Sequence, residues 1–591
     1  MNSGLTAEER EDFYHLPEGS ALFPLDWLRV LRDKDTGRPF LENAERFGLL
    51  ADLGHPLKLP VGIAPEVPRG TSAFGQWVGI NCTACHVGEL TYQGKSYRID
   101  GGPNLFNLDH FYRQLFDSLS ATVDDPDKML AFLSDLLNLD GSYLDAPENK
   151  SRKERLTVFV STWTELKQLG GDELAELDKE FLGRIKAFLG EVEDEAKSDK
   201  EVHELVAGVK GEASSLEKLK EKVAAPFQAG LADLRNSLRA AGDQVGRPLA
   251  TVKSLDDASL DQHLTDFVTN IGLLKARLRF LKTLKEVNEN QPAPPGPGRI
   301  DAFMNARNLV FGADHYAPPT SPVSYPYIWG IAWFGMFHYD GNTNSFMERN
   351  TGQSLGLGAI FNPETFESTV RPRDLHKLES YARKLNGPAW PFGPIDQAKA
   401  ARGAEIYQEH CANCHSTQRV ADSTKSFTWE EIKTDRIRLT NVAKKVGDQP
   451  YYTALDTALK AIKQQAYKDN GITPEEAADF EGHVQEVFQQ TDKFIARPLV
   501  SAWASPPFLH NGSVPRMYDL LLPKEQRPSV FSLGSREYDP EKLGYVLSTS
   551  GEDGLFLFDT SKVGNDNSGH EFGTDLPEAD RMALIEYLKT I

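Results

Sequence analysis

Cysteine is scarce in this chain, with four among 591 residues. All four fall inside two short Cys-x-x-Cys-His segments, so none is left to build a disulfide framework. Basic charge is in deficit as well. Lys and Arg total 65 against 86 Asp and Glu, a formal charge of −21. That balance argues against nucleic acid or an anionic membrane surface as the main partner, and leaves a basic protein partner open. No apolar run approaches the ~20 residues of a membrane-spanning helix, so no transmembrane segment is expected. A leader is lacking too: Met1-Asn2-Ser3-Gly4 opens into polar sequence without an apolar stretch. Hydrophobic residues at 40% and aromatics at 10% still suit a globular chain, whose length implies roughly two to four domains.

What is present is concentrated in the two pentapeptides, Cys82-Thr-Ala-Cys85-His86 and Cys411-Ala-Asn-Cys414-His415. Paired Cys-x-x-Cys motifs can supply four thiolates to zinc, and one alone can form a thioredoxin-like redox pair. Neither alternative demands a histidine directly after the second cysteine, and here it occurs twice. Covalent haem attachment does demand it, because the thiols add to the vinyl groups and the next imidazole becomes the proximal iron ligand. The reading is therefore two covalently bound haem c groups, with His86 and His415 as metal ligands. Such attachment takes place on the exported side of a bacterial membrane, so a periplasmic or secreted location is expected, with a leader removed and Met1 added on expression.

Along the chain, residues 1–123 read as an N-terminal haem region of short helices and loops, with a helix starting near Asp109. Residues 124–290 are rich in Lys, Glu, Leu and Ala, with apolar residues at helical spacing in 212–223 and 260–287. They predict a long helical insertion, folded as a hairpin or bundle. The run Gln291-Pro-Ala-Pro-Pro-Gly-Pro-Gly298 ends it. A connecting aromatic block, 291–394, follows, with helix returning over 299–310 and near 373–385. Residues 395–591 form the C-terminal haem region, with a helix over 398–407 that delivers the second motif and a last helix over 577–589. The fold class is mainly α, two cytochrome c-like haem domains with loop-rich connections.

Function depends on what lies opposite each iron. A second histidine or a methionine makes an electron carrier, whereas an open position makes a catalyst or gas binder. For the second haem, His570 lies between Gly569 and Gly573, which let the backbone approach closely. It is read as the distal ligand, against a surface or supporting role. His510, in Pro506-Pro-Phe-Leu-His510-Asn-Gly-Ser513, competes; its turn-rich setting suits a hydrogen bond to a propionate or to backbone. Met517 and Met582 are read as core. For the first haem, His110 suits a local backbone contact and Met129 lies beyond, so no side chain stands out as the sixth ligand. That haem is the catalytic candidate.

Both haem regions and residues 299–350 resemble the bacterial di-haem cytochrome c peroxidase superfamily. The resemblance rests on the two widely spaced motifs, on Pro506-Pro-Phe-Leu-His-Asn-Gly-Ser-Val-Pro515 and on the loop before the last helix. Within it, Asn81-Cys-Thr-Ala-Cys-His-Val-Gly-Glu-Leu90, Arg98-Ile-Asp-Gly-Gly-Pro-Asn-Leu-Phe106 and Gly569-His-Glu-Phe-Gly573 are most similar to rubber oxygenases of the latex-degrading type. The resemblance implies a C-terminal haem held by His415 and His570, and an N-terminal haem bound by His86 alone and open to dioxygen. It also implies cleavage of carbon–carbon double bonds in an apolar, isoprenoid-like substrate, and a calcium ion between the haem domains, to which no Asp/Glu cluster points. Trp329, Trp333, Phe334 and Phe337 are the candidate lining of the oxygen pocket, or alternatively ordinary core. For a peroxidase acting on hydrogen peroxide, His338 and Glu348 are the candidate acid and base, with Trp329 or Trp333 relaying electrons. A pure electron-transfer cytochrome working with a redox partner protein is the third reading, and fold alone does not choose among the three.

Overall fold

A computed structural model describes residues 3–66, 76–137, 228–236, 255–289, 291–415, 425–441, 444–548 and 554–591, with residues 154, 157 and 239 standing singly between them. The segment 212–223, expected to be helical, lies outside the described residues.

The chain opens with helix Ala7–His15, started by a capping box. Thr6 Oγ1 accepts from Glu9 N at 3.1 Å, and Glu9 Oε2 accepts from Thr6 N at 3.0 Å. A small antiparallel sheet follows in which Trp77–Ile80 is central, between Phe23–Pro24 and Ile63–Glu66. All four residues of the central strand are buried, and Gly79 is required there because a Cβ would stand 1.5 Å from Ser20 O. The strand runs directly into the first Cys-x-x-Cys-His segment. Past the short helix Thr83–His86, the hairpin Val87–Tyr92 with Lys95–Asp100 turns through Gln93 and Gly94, both at positive φ.

Helix Leu108–Asp124 is capped by Asn107, whose side chain accepts from His110 N. It buries Leu108, Phe111, Tyr112, Leu115 and Leu119, one face at helical spacing. Against it lies helix Asp257–Glu289. Leu281 and Leu284 of that helix enter the core of the N-terminal region, and Arg277 donates to Ala21 O at 3.1 Å. The C-terminal part of the expected insertion is thus built into the first region rather than standing clear of it.

Beyond the proline-rich run, Arg299–Ile300 is a strand paired with Val323–Ser324 where helix was expected to resume, and the helix begins at Ala302. Asp301 explains the shift. Its carboxylate caps Met304 N and accepts from Thr320 N, Ser321 N and Ser321 Oγ, fixing a turn before the helix. Helices Ala302–Phe311, Phe346–Gly356 and Tyr451–Asp469 meet around Met304, Met347, Leu455 and Leu459. Near the end, Gln397–His410 crosses Glu578–Leu588 so closely that a Cβ on Gly403 would sit 2.0 Å from Ala583 O. A continuous apolar core joins Phe13, Val87, Trp329, Phe337, Trp503 and Ile585, so both motif-bearing regions rest on it. Among the described residues, no helix is long and apolar enough to cross a membrane.

Candidate functional site

Asn81 fixes the first motif. Its Nδ2 donates to the carbonyls of Phe13, Tyr14 and Leu16, and its Oδ1 accepts from Thr83 N and Thr83 Oγ1. The turn bearing the cysteines is thereby tied to the end of the first helix. Glu18 Oε2 accepts from Cys82 N at 3.0 Å, and burial pushes the Glu18 carboxyl up to about 7. His86 donates Nδ1–H to Pro326 O at 2.9 Å, which leaves Nε2 as the ring's lone-pair nitrogen. Burial, then Arg349, pushes this imidazole down to about 3, so it is neutral.

Cys82, Cys85 and His86 open into one cavity and Cys411, Cys414 and His415 into another. The four thiols therefore do not converge on one tetrahedral zinc site. Burial also pushes the Cys85 thiol up to about 12 and raises Cys82. Among the described residues, no group of three or more His, Cys, Asp or Glu is arranged to hold a metal ion, calcium included.

At the second motif, Tyr407 OH donates to His415 O at 2.6 Å, and His415 donates Nδ1–H to Arg497 O at 2.8 Å. Across the cavity lies His570, its ring centre 6.0 Å from that of His415. Two metal–imidazole bonds of about 2 Å, with about 1 Å from each ring centre to its nitrogen, span about that distance. His570 sits at φ 50°, between Gly569 at 76° and a second positive-φ glycine, Gly573. A Cβ on Gly569 would meet Lys433 C at 2.3 Å. Arg527 anchors the loop, donating Nη1–H to Asn567 O and Gly569 O. Burial, then the neighbouring His415 and Arg527, pushes His570 down to about 3. Two imidazoles thus face one another across an apolar cavity behind a Cys-x-x-Cys-His segment, a donor set that fits a covalently attached haem.

His510 lines this cavity and is buried against Phe494, with its Nδ1 unpartnered by protein. Its carbonyl oxygen, not its ring, takes the backbone hydrogen bond, from Ser324 N. Met517 also lines this cavity and belongs to the core, while Met582 packs against the core from a half-buried position.

The first cavity differs on its far side. Among the described residues the aromatic partner of His86 is Tyr325, at 6.4 Å, and no second imidazole faces it as His570 faces His415. His110 lies elsewhere, packed on Phe47. Phe334, Phe337, His338 and Glu348 line the cavity. Trp329 and Trp333 do not. The 3-10 turn Ile331–Trp333 sends Ile331 and Phe334 inward, because residues three apart eclipse, and leaves Trp333 off that side. Trp329 is stacked behind Tyr327 at 4.7 Å and donates Nε1–H to Val500 O.

His338 Nδ1 is 2.7 Å from Asn342 Oδ1, and burial pushes its ring down to about 4, so it is neutral. Glu348 accepts from Thr343 Oγ1, and burial, then Glu486, pushes its carboxyl up to about 8. Sequence reasoning missed Phe303, Arg349, Gln353, Arg438 and Arg497, which also line this cavity. A signal existed for two of them. Ser345-Phe-Met-Glu348 has the spacing of a helix start, and helix Phe346–Gly356 indeed begins at Ser345 and carries Arg349 and Gln353.

Comparison with known proteins agrees with this chemistry. Residues 493–532 match the family model for RoxA-like, cytochrome c-like domains. Residues 388–478, which contain the second motif, match the Cytochrome C1 family. The chain is similar to the uncharacterised protein y4iJ of Sinorhizobium fredii (strain NBRC 101917 / NGR234). The two are 28% identical over 675 aligned residues, covering 100% of this chain and 93% of y4iJ. A second protein of that organism, y4iM, is 26% identical over 52% of this chain and 74% of its own length. The matches support a c-type cytochrome with covalently bound haem c and a haem-based redox role.

Proposed function

We propose that the protein is a periplasmic di-haem oxidoreductase with two mainly helical, cytochrome c-like haem regions. In it, the His86 haem activates dioxygen against an apolar, isoprenoid-like substrate, and the His415/His570 haem passes electrons. The observation that carries this reading is the asymmetry between the cavities. One has facing imidazoles 6.0 Å apart; in the other, among the described residues, the ring paired with His86 is Tyr325 at 6.4 Å, and the one further imidazole on the lining, His338, is not stacked against it. When bound, haem supplies a redox iron that takes a small ligand wherever its sixth position is free.

The chain's own residues do the rest. Pro326 O holds the His86 tautomer. Phe303, Phe334, Phe337 and Phe488 make the cavity apolar, which excludes water from a reactive centre and accepts a hydrocarbon. The match to the RoxA-like, cytochrome c-like model lies in the C-terminal region and supports a c-type cytochrome there.

A peroxidase is the second reading, favoured by His338 and Glu348 lining the same cavity. A neutral imidazole and a carboxyl still protonated at pH 7 are a base and an acid in reach of one space. The deciding experiment compares oxygen uptake by the reduced protein on polyisoprene with hydrogen peroxide turnover driven by a reduced cytochrome. The oxygenase reading expects uptake with chain cleavage and peroxide turnover near background. Peroxide turnover lost in Glu348→Gln, without oxygen uptake, would replace it by the peroxidase.

A further inference from the structure

Between the two cavities lies a wall made by residues 325–327, Tyr339 and Arg497, which line both. Its two main strips, residues 325–329 and 497–500, are fastened together. Tyr327 OH donates to Pro498 O at 2.6 Å, Trp329 Nε1–H to Val500 O at 2.8 Å, and Arg497 Nη1–H to Tyr327 O at 3.0 Å. Each strip also holds one motif histidine, His86 through Pro326 O and His415 through Arg497 O. Three hydrogen bonds therefore connect the imidazoles by way of the Pro326-Tyr327 peptide and the body of Arg497.

Among the described residues that line both cavities, Arg497 is the only charged one. Its guanidinium is within 5.5 Å of the ring centres of Tyr327, Phe334 and Tyr339. Among the described residues no carboxylate forms an ion pair with it, and its Nε is buried without a protein partner. Arg438, which lines the first cavity alone, is paired with Asp340 at 3.0 Å. A cation left unpaired in a wall of aromatic rings costs stability unless an anion arrives. The anions that a haem brings are its carboxylates, and an arginine fork suits them.

We propose that Arg497 is a positioning residue shared by the two haem sites, pairing with haem carboxylate and setting both reduction potentials together. This rests on the di-haem reading above. A fixed positive charge in low-dielectric surroundings favours the reduced, less positive form of any iron near it. Because it lies in the wall between the cavities, it acts on both at once, while its carbonyl orients only His415. Loss of its side chain therefore lowers two potentials, while the backbone carbonyl that orients His415 is kept.

The test is a spectroelectrochemical titration of the purified holoprotein, resolving the two haems, for wild type, Arg497→Gln, Arg497→Lys and Arg438→Gln. The expected result is a downward shift of both midpoint potentials in R497Q. R497K, which keeps the charge and loses the fork, should show a smaller shift at both, and R438Q a shift at the first haem alone. If R497Q yields no holoprotein, R497K decides by whether both potentials move. A shift confined to one haem in the Arg497 variants, no shift at all, or equal shifts from R438Q would overturn the proposal. The di-haem reading is tested separately by the haem-to-protein ratio of the wild type. A ratio of two supports both, and a ratio of one overturns both before any variant is made.

Discussion

At the first motif the histidine gives its Nδ1–H to Pro326 O over 2.9 Å, and at the second to Arg497 O over 2.8 Å. His86 is buried and His415 half-buried, and desolvation pushes both below their ordinary range. To this point the two regions are built alike. They part company on the opposite face, where one presents His570 from a glycine-flanked loop and the other presents Phe334, Phe337 and their neighbours. The attachment chemistry constrains one side of a haem site, and the other side remains free to take a different task. The supports differ as well. The first motif is tied down by side-chain hydrogen bonds of Asn81, Glu18 and Asn104, and the second by the close crossing of two helices.

That contrast can be broken one half at a time. The largest effect is expected at Gly403. Replacing glycine by alanine in a helix gains about 1 kcal/mol of propensity, but here the new Cβ would meet backbone at 2.0 Å. Neither helix can yield without moving the other, so the clash prevails. We expect Gly403→Ala to destabilise the C-terminal region by about 3 kcal/mol, read as early thermal loss of the second haem's low-spin spectrum with the first haem's signal retained.

Next comes Asn81→Ala, which strands the Thr83 N–H and Leu16 O that Asn81 now satisfies. The expected cost is about 2 kcal/mol, confined to the first haem's region and measured by denaturant unfolding followed at each haem. Equal effects at both haems would mean that the supports are not separate.

The smallest effect concerns pH. Glu66 is buried with both carboxylate oxygens unpartnered, and burial, relieved in part by Arg371, pushes its carboxyl from 4.5 up to about 8. The folded state thus holds this proton more tightly than the unfolded chain does. Its contribution to stability is full below pH 4.5 and lost as pH rises through about 8. Glu66→Gln should remove that decline, raising stability at pH 8 relative to wild type and leaving pH 4 unchanged. Thermal melts across that range would show it, and a wild type whose stability climbs with pH over this window would contradict it.

Several of these features were legible in the residues alone. The helix that delivers the second motif and the last helix announced themselves by apolar spacing, and His570 by its glycines. Phe334, Phe337, His338 and Glu348 were found because they cluster in sequence. Arg438 and Arg497 were not, since they arrive from distant segments of the chain and carry no local signal. Trp329 and Trp333 misled because composition does not reveal on which side of a 3-10 turn a ring will lie. Asp301 misled differently. A carboxylate with four hydrogen bonds from two segments overrode a helical pattern that began two residues earlier.

The asymmetry itself is open to direct measurement by carbon monoxide titration of the anaerobically reduced protein. One molecule bound per two haems is expected for the wild type, rising to two in His570→Ala as the second site loses the imidazole that faces His415. A wild type that binds none, or a His570→Ala protein whose second haem stays low-spin and closed, would contradict the account.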